Sequence, residues 1–135
     1  MNPPSFLTSS ALVALGGGFG SWLRYLVGRS TVALIGPIRA SAFPWATLCT
    51  NILGSFAMGL LVGWMARHGQ GGQNLRLLIG VGLLGGFTTF SSFALEFTLF
   101  VERGAIASAM GYVGLSLVAG FAGLFLGLML MRSAL

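Results

Sequence analysis

Lysine and aspartate are missing altogether: the positive charges are all arginine (Arg24, Arg29, Arg39, Arg67, Arg76, Arg103 and Arg132), and the acids are Glu96 and Glu102 alone. Charged residues make up 7% of the 135-residue chain and hydrophobic ones 56%, which leaves too little polar surface to wrap a water-soluble domain. The chain also lacks the basic runs that grip phosphates, so its positive balance carries no nucleic-acid signature. A single cysteine, Cys49, excludes an internal disulfide and reads as a small packing residue among apolar neighbours. The one histidine, His68, beside Arg67, reads as a solvated loop residue. With no cluster of His, Cys and carboxylates at metal-ligand spacing, and no nucleophile close to a base, an enzyme is not expected. The first charge is Arg24, so the N-terminus lacks the basic start of a secretory signal, and the apolar stretch there is expected to be a retained span.

What the chain has is long hydrophobic runs. A bilayer core needs about 20 mostly apolar residues per helix. Four stretches qualify, roughly Phe6 to Gly28, Trp45 to Ala66, Leu77 to Val101 and Ala105 to Met131, so residues 1–135 read as a single transmembrane domain. Gly36-Pro37 and Phe43-Pro44 mark the first turn, Gly69 to Gly72 the second and Glu102-Arg103-Gly104 the third. Such a chain is an all-α, multi-pass membrane protein.

Four spans place Arg67, Arg76 and Arg132 on one side against Arg29, Arg39 and Arg103 on the other, with Arg24 inside the first span. Orientation follows an excess of Lys and Arg in the cytoplasmic loops, and none is evident here. Two readings stay open: a weak bias that still gives one orientation, or dual topology, with copies inserted both ways and able to pair antiparallel. Small residues at four-residue steps (Gly16 with Gly20, Gly59 with Gly63, Gly82 with Gly86, Gly123 with Gly127) predict helices that pack backbone against backbone.

Thr47, Asn51 and Ser55 share one face of the second span, and Ser108, Tyr112 and Ser116 one face of the fourth. Such ladders either line a narrow polar track or bond neighbouring helices. Asn51 is the hardest to treat as mere packing, because an amide in hydrocarbon is costly unless its donors and acceptor are used. Glu96, near the end of the third span, either reaches toward water, pairs with an arginine or faces an aqueous vestibule.

The third span holds the most informative segment, Gly85 to Phe93, which reads Gly-Gly-Phe-Thr-Thr-Phe-Ser-Ser-Phe. Glycine loosens the backbone and hydroxyls compete for its hydrogen bonds, so this helix is expected to break mid-membrane. Non-helical backbone at that depth is tolerated only where it is buried in protein or lines a polar cavity. Thr89 and Ser91 would then present hydroxyls beside Phe90 and Phe93, and a phenyl ring's positive edge favours an anion without a formal charge.

On these residues the sequence resembles the Fluc (CrcB) fluoride channels. The shared marks are Gly16-Gly17-Gly18-Phe19-Gly20-Ser21-Trp22-Leu23-Arg24-Tyr25, Asn51-Ile52-Leu53-Gly54-Ser55-Phe56 and Gly85 to Phe93, in order and at family spacing. The resemblance implies an antiparallel, dual-topology homodimer of four-helix subunits in a prokaryotic inner membrane, with two pores that export fluoride passively. It implies that Phe90 and Phe93 are pore phenylalanines, that Asn51 hydrogen-bonds the ion, and that Tyr112 and Ser116 continue the track. Arg24 and Glu96 would shape the vestibule. A structural sodium ion would sit at the dimer centre on the backbone carbonyls of Gly85 and Thr88. One departure is Gly120, where family members often carry a further hydroxyl. The rival readings are a small multidrug-type exchanger, which needs a glutamate that the first span lacks, and a non-conducting membrane assembly subunit.

Overall fold

The computed structural model describes residues 4–68 and 72–133. Helix α1 spans Phe6–Ile35, with Ser5 as N-cap accepting the Thr8 N–H at 3.2 Å. It continues beyond Gly28 and stops at Gly36, whose φ of 81° lies in the left-handed region that glycine adopts freely. Pro37 then starts the short α2 (Pro37–Ala42), where its missing N–H is no loss. Helix α3 follows at Trp45–His68. The next stretch comprises α4 (Gln73–Leu75), a π-helical segment Arg76–Leu84, α5 (Gly85–Phe87) and α6 (Phe90–Glu102). Gly104, at φ 71°, makes the turn into α7 (Ile106–Ser133).

Four stretches, Phe6–Ile35, Trp45–His68, Gln73–Glu102 and Ile106–Ser133, are long and apolar enough to cross a membrane. The chain is an all-helical multi-pass membrane protein. Most of the turn expected at Gly69 to Gly72 lies outside the described residues; Gly72 itself is buried. His68 departs from its loop reading: it is the last residue of α3, stacked on Trp64 at 4.4 Å and hydrogen-bonded through Nδ1 to the Trp64 carbonyl at 2.8 Å. That bond to the previous turn keeps it within the helix.

The spans pack as two parallel pairs, first with third and second with fourth, each stitched by glycine. A Cβ on Gly16 would strike the Leu78 carbonyl and one on Gly20 the Leu83 carbonyl, while Gly82 and Gly86 press on Gly16 and Gly17. In the other pair Gly59 faces the Leu124 carbonyl, Gly63 faces Met131, and Gly123 and Gly127 face Ile52 and Phe56. In each pair the contacts climb in step along both helices, as alternate spans running the same way require. The four glycine pairs singled out by their spacing are thus the seams.

The interior is small: Leu48, Leu84, Phe100, Ala109 and Tyr112 are its buried hydrophobic residues. Large apolar side chains such as Phe6, Leu15, Val118, Phe121 and Phe125 point outward, which suits a molecule solvated by acyl chains rather than water.

Candidate functional site

Between α5 and α6 the backbone leaves the helical region for two residues: Thr88 at φ −84°, ψ 160° and Thr89 at φ −152°, ψ 125°. Both are non-glycine residues in extended conformation, so the segment is unstrained. What must be supplied there is hydrogen-bond partners. Thr88 spends both donors on Leu84, its N–H at 3.0 Å and its Oγ1 at 2.9 Å from that carbonyl. Thr89 finds its partner on α3: its N–H donates to Asn51 Oδ1 at 2.8 Å, and its carbonyl accepts from Asn51 Nδ2 at 3.1 Å. The Asn51 amide thus pairs with Thr89 much as a neighbouring strand would.

Gly54, three residues after Asn51 and on the same face, makes the approach possible, since a Cβ there would collide with the Thr88 methyl group. Thr89 also caps α6. Its Oγ1 accepts the Ser92 N–H at 3.2 Å, donates to Ser92 Oγ at 3.2 Å and lies 3.2 Å from Ser91 Oγ.

Beside this segment α3, α6 and α7 enclose a cavity of about 340 Å³, lined by Asn51, Ser55, Thr88, Thr89, Phe90, Phe93, Ser116 and Gly120, with Met58, Leu117 and Leu124 at its apolar side. Ser116 Oγ is buried with no hydrogen-bond partner. Asn51 has one amide N–H beyond the one that Thr89 uses. The Phe90 ring is 80% exposed, with its centroid 5.9 Å from that of Phe93, which in turn lies 5.1 Å from Tyr112. The cavity therefore combines unused donors with phenyl rings.

At one end of the cluster stands Glu96. Its Oε1 accepts from Thr47 Oγ1 and its Oε2 from the Tyr112 hydroxyl, both at 2.6 Å, tying α6 to α3 and α7. Of the fates open to it in the sequence, the structure adds one not foreseen: two hydroxyls take its two oxygens. It also borders a smaller cavity of about 150 Å³ with Ser41, Pro44 and Arg103. Thr47 was legible only as the first step of a polar ladder; its acid partner sits far away in sequence. Tyr112 is fully buried, held edge-on by Phe43 at 5.5 Å.

The remaining expected residues are spread around this centre. Ser91 is exposed on α6, and Gly85 is exposed at the start of α5. The helical partner of the Gly85 carbonyl would be the Thr89 N–H, which Asn51 has taken. Arg24 is half-buried in α1 and does not line the main cavity. Among the described residues no group of three or more His, Cys, Asp or Glu is placed to hold a metal.

The family pattern of CrcB-like protein, Camphor Resistance (CrcB), matches residues 11–128. This chain belongs to the CrcB family. It is 54% identical over 126 residues to the fluoride-specific ion channel FluC of Novosphingobium aromaticivorans, covering 93% of this chain and 98% of that protein. It is 50% identical over 120 residues to the FluC of Sphingopyxis alaskensis, covering 89% and 92%, and 50% identical over 122 residues to that of Rhodospirillum centenum, covering 90% and 94%. The CrcB match takes in the glycine seams, the Asn51–Thr89 pairing and the whole cavity lining.

Proposed function

We propose that this chain is a fluoride-specific ion channel, a conductor rather than an enzyme, whose ion path is the cavity between α3, α6 and α7. The observation that carries the reading is identity of half or more with fluoride channels over nearly the whole of both chains. The unpartnered Ser116 hydroxyl supports the placement of the path, because a buried donor without a partner is costly unless a ligand uses it.

Fluoride is small and strongly hydrated, so a selective path must replace its water with donors and remain too narrow for hydrated chloride. The free Asn51 N–H, the hydroxyls of Ser116, Thr89 and Ser91, and the ring edges of Phe90 and Phe93 supply that shell. Asn51 serves twice, holding Thr89 with one N–H and offering the other to the ion. Tyr112 and Glu96 with Thr47 form the polar end of the track, and Arg24 makes the approach attractive to anions. Fluoride enters acidified cells as HF and is trapped as the anion. A membrane potential of 100 mV then drives each charge outward by about 2.3 kcal/mol, with no need for a fuel molecule.

The finer architecture belongs to the same proposal. Thr88 and Thr89 form a mid-membrane break of the third span, and a second, antiparallel copy in a prokaryotic inner membrane covers the exposed Phe90 and borrows its ring. The balanced arginines favour insertion both ways. A sodium ion at the centre suits the carbonyls of Gly85 and Thr88, since unwound carbonyls coordinate a hard cation and the Gly85 carbonyl has lost its usual donor to Asn51. It would supply fixed positive charge between the two copies.

The test is fluoride efflux from proteoliposomes with chloride as control, run for the wild type, Phe90→Ile and Asn51→Asp. Fast fluoride efflux that both substitutions abolish is the expected result. Equal fluoride and chloride rates would refute selectivity, and absent flux would favour a non-conducting assembly subunit.

A further inference from the structure

At one level of the cavity α7 contributes no side chain, because Gly120 lines it there. Opposite stands Ser55, one helical turn beyond Asn51 on α3, with its Oγ 3.7 Å from where a Cβ on Gly120 would lie. Ser55 behaves unlike most hydroxyls in these helices. Thr31, Thr88, Thr98 and Ser133 each donate to the carbonyl four residues earlier, the ordinary way for a helical hydroxyl to be satisfied. The Asn51 carbonyl stands in the same relation to Ser55, yet among the described residues Ser55 makes no hydrogen bond. Its donor is free and borders the cavity.

We infer that Ser55 is a direct donor to the permeating ion, supplying from α3 the hydroxyl that α7 lacks at Gly120. The inference rests on the cavity being the ion path. Donors then alternate between the two helices: Asn51 on α3, Ser116 on α7, Ser55 on α3. Beyond Ser55 the lining turns to Met58, Leu117 and Leu124, so Ser55 is the last hydroxyl before an apolar mouth. An anion passing that level has already shed water, and an O–H donor meets it where ring edges no longer reach.

The experiment moves the hydroxyl from one helix to the other. Ser55→Ala slows fluoride efflux from proteoliposomes about tenfold, the scale of one hydrogen bond to a charged group. The double variant Ser55→Ala with Gly120→Ser recovers most of the rate, because a Cβ at Gly120 meets Ser55 Oγ only at ordinary contact distance and the added hydroxyl fits. Undiminished efflux in Ser55→Ala overturns the inference. So does a slow Ser55→Ala that the double variant fails to rescue, since a packing role does not care which helix carries the donor. Wild-type vesicles without fluoride flux would instead refute the channel reading, and a Ser116→Ala without effect would refute the path itself.

Discussion

The two helix pairs use the same device and end differently. In the first pair, glycine brings α1 against the backbone of residues 78–87 along the whole contact, and nothing but backbone fits between them. In the second, α3 and α7 are just as close from Gly59 and Gly123 onward but part toward Asn51 and Ser116, where Phe93 of α6 and the extended Thr88 and Thr89 enter. A closed seam satisfies its own backbone and needs no partner. An open one leaves donors facing a cavity, and that is where an anion can be held. Packing and permeation are thus divided between regions of nearly the same composition.

The largest break in that comparison comes from closing the wrong gap. Gly127→Val forces a side chain into the Phe56 carbonyl and Gly16→Val one into the Leu78 carbonyl, neither of which can yield. Each should cost about 3 kcal/mol or more and abolish the monodisperse species on gel filtration. Asn51→Ala comes next. It strands the Thr89 N–H and carbonyl, at about 1–3 kcal/mol for each unsatisfied group, and fluoride flux should vanish while some folded protein survives in thermal unfolding assays. Tyr112→Phe removes one donor from Glu96 and leaves the ring packing intact, so unfolding should shift by about 1–2 kcal/mol, with a partial loss of flux.

The smallest effect on stability sharpens the contrast most. Ser116→Ala deletes a hydroxyl that has no partner, so thermal stability should stay level or rise slightly while fluoride efflux falls several-fold. A matching loss of stability would mean that the hydroxyl holds helices together. The two seams would then differ in shape but not in purpose.

Much of the first region was legible in the chain. Hydrophobic run lengths placed four spans, and glycine spacing named the residues at both seams, because helical periodicity and side-chain size are local properties. Run length did not reveal that α1 continues to Ile35, since the helix ends where Gly36 permits positive φ rather than where the apolar residues thin out. The open seam was harder to read. Asn51 stood out as an amide needing partners, but its partner, the Thr89 peptide, lies 38 residues away. The union of Thr47, Tyr112 and Glu96 depends on three helices meeting.

By itself, then, the sequence determined a membrane protein of four apolar helices with glycine faces and a hydroxyl-rich third span, because each of these follows from residue type at a fixed helical interval. Only the tertiary structure decided which polar groups satisfy one another and which are left over. That division is a matter of distances of about 3 Å between distant parts of the chain. It separates Asn51 and Glu96, whose acceptors are taken, from Ser55 and Ser116, whose hydroxyls remain available to an ion.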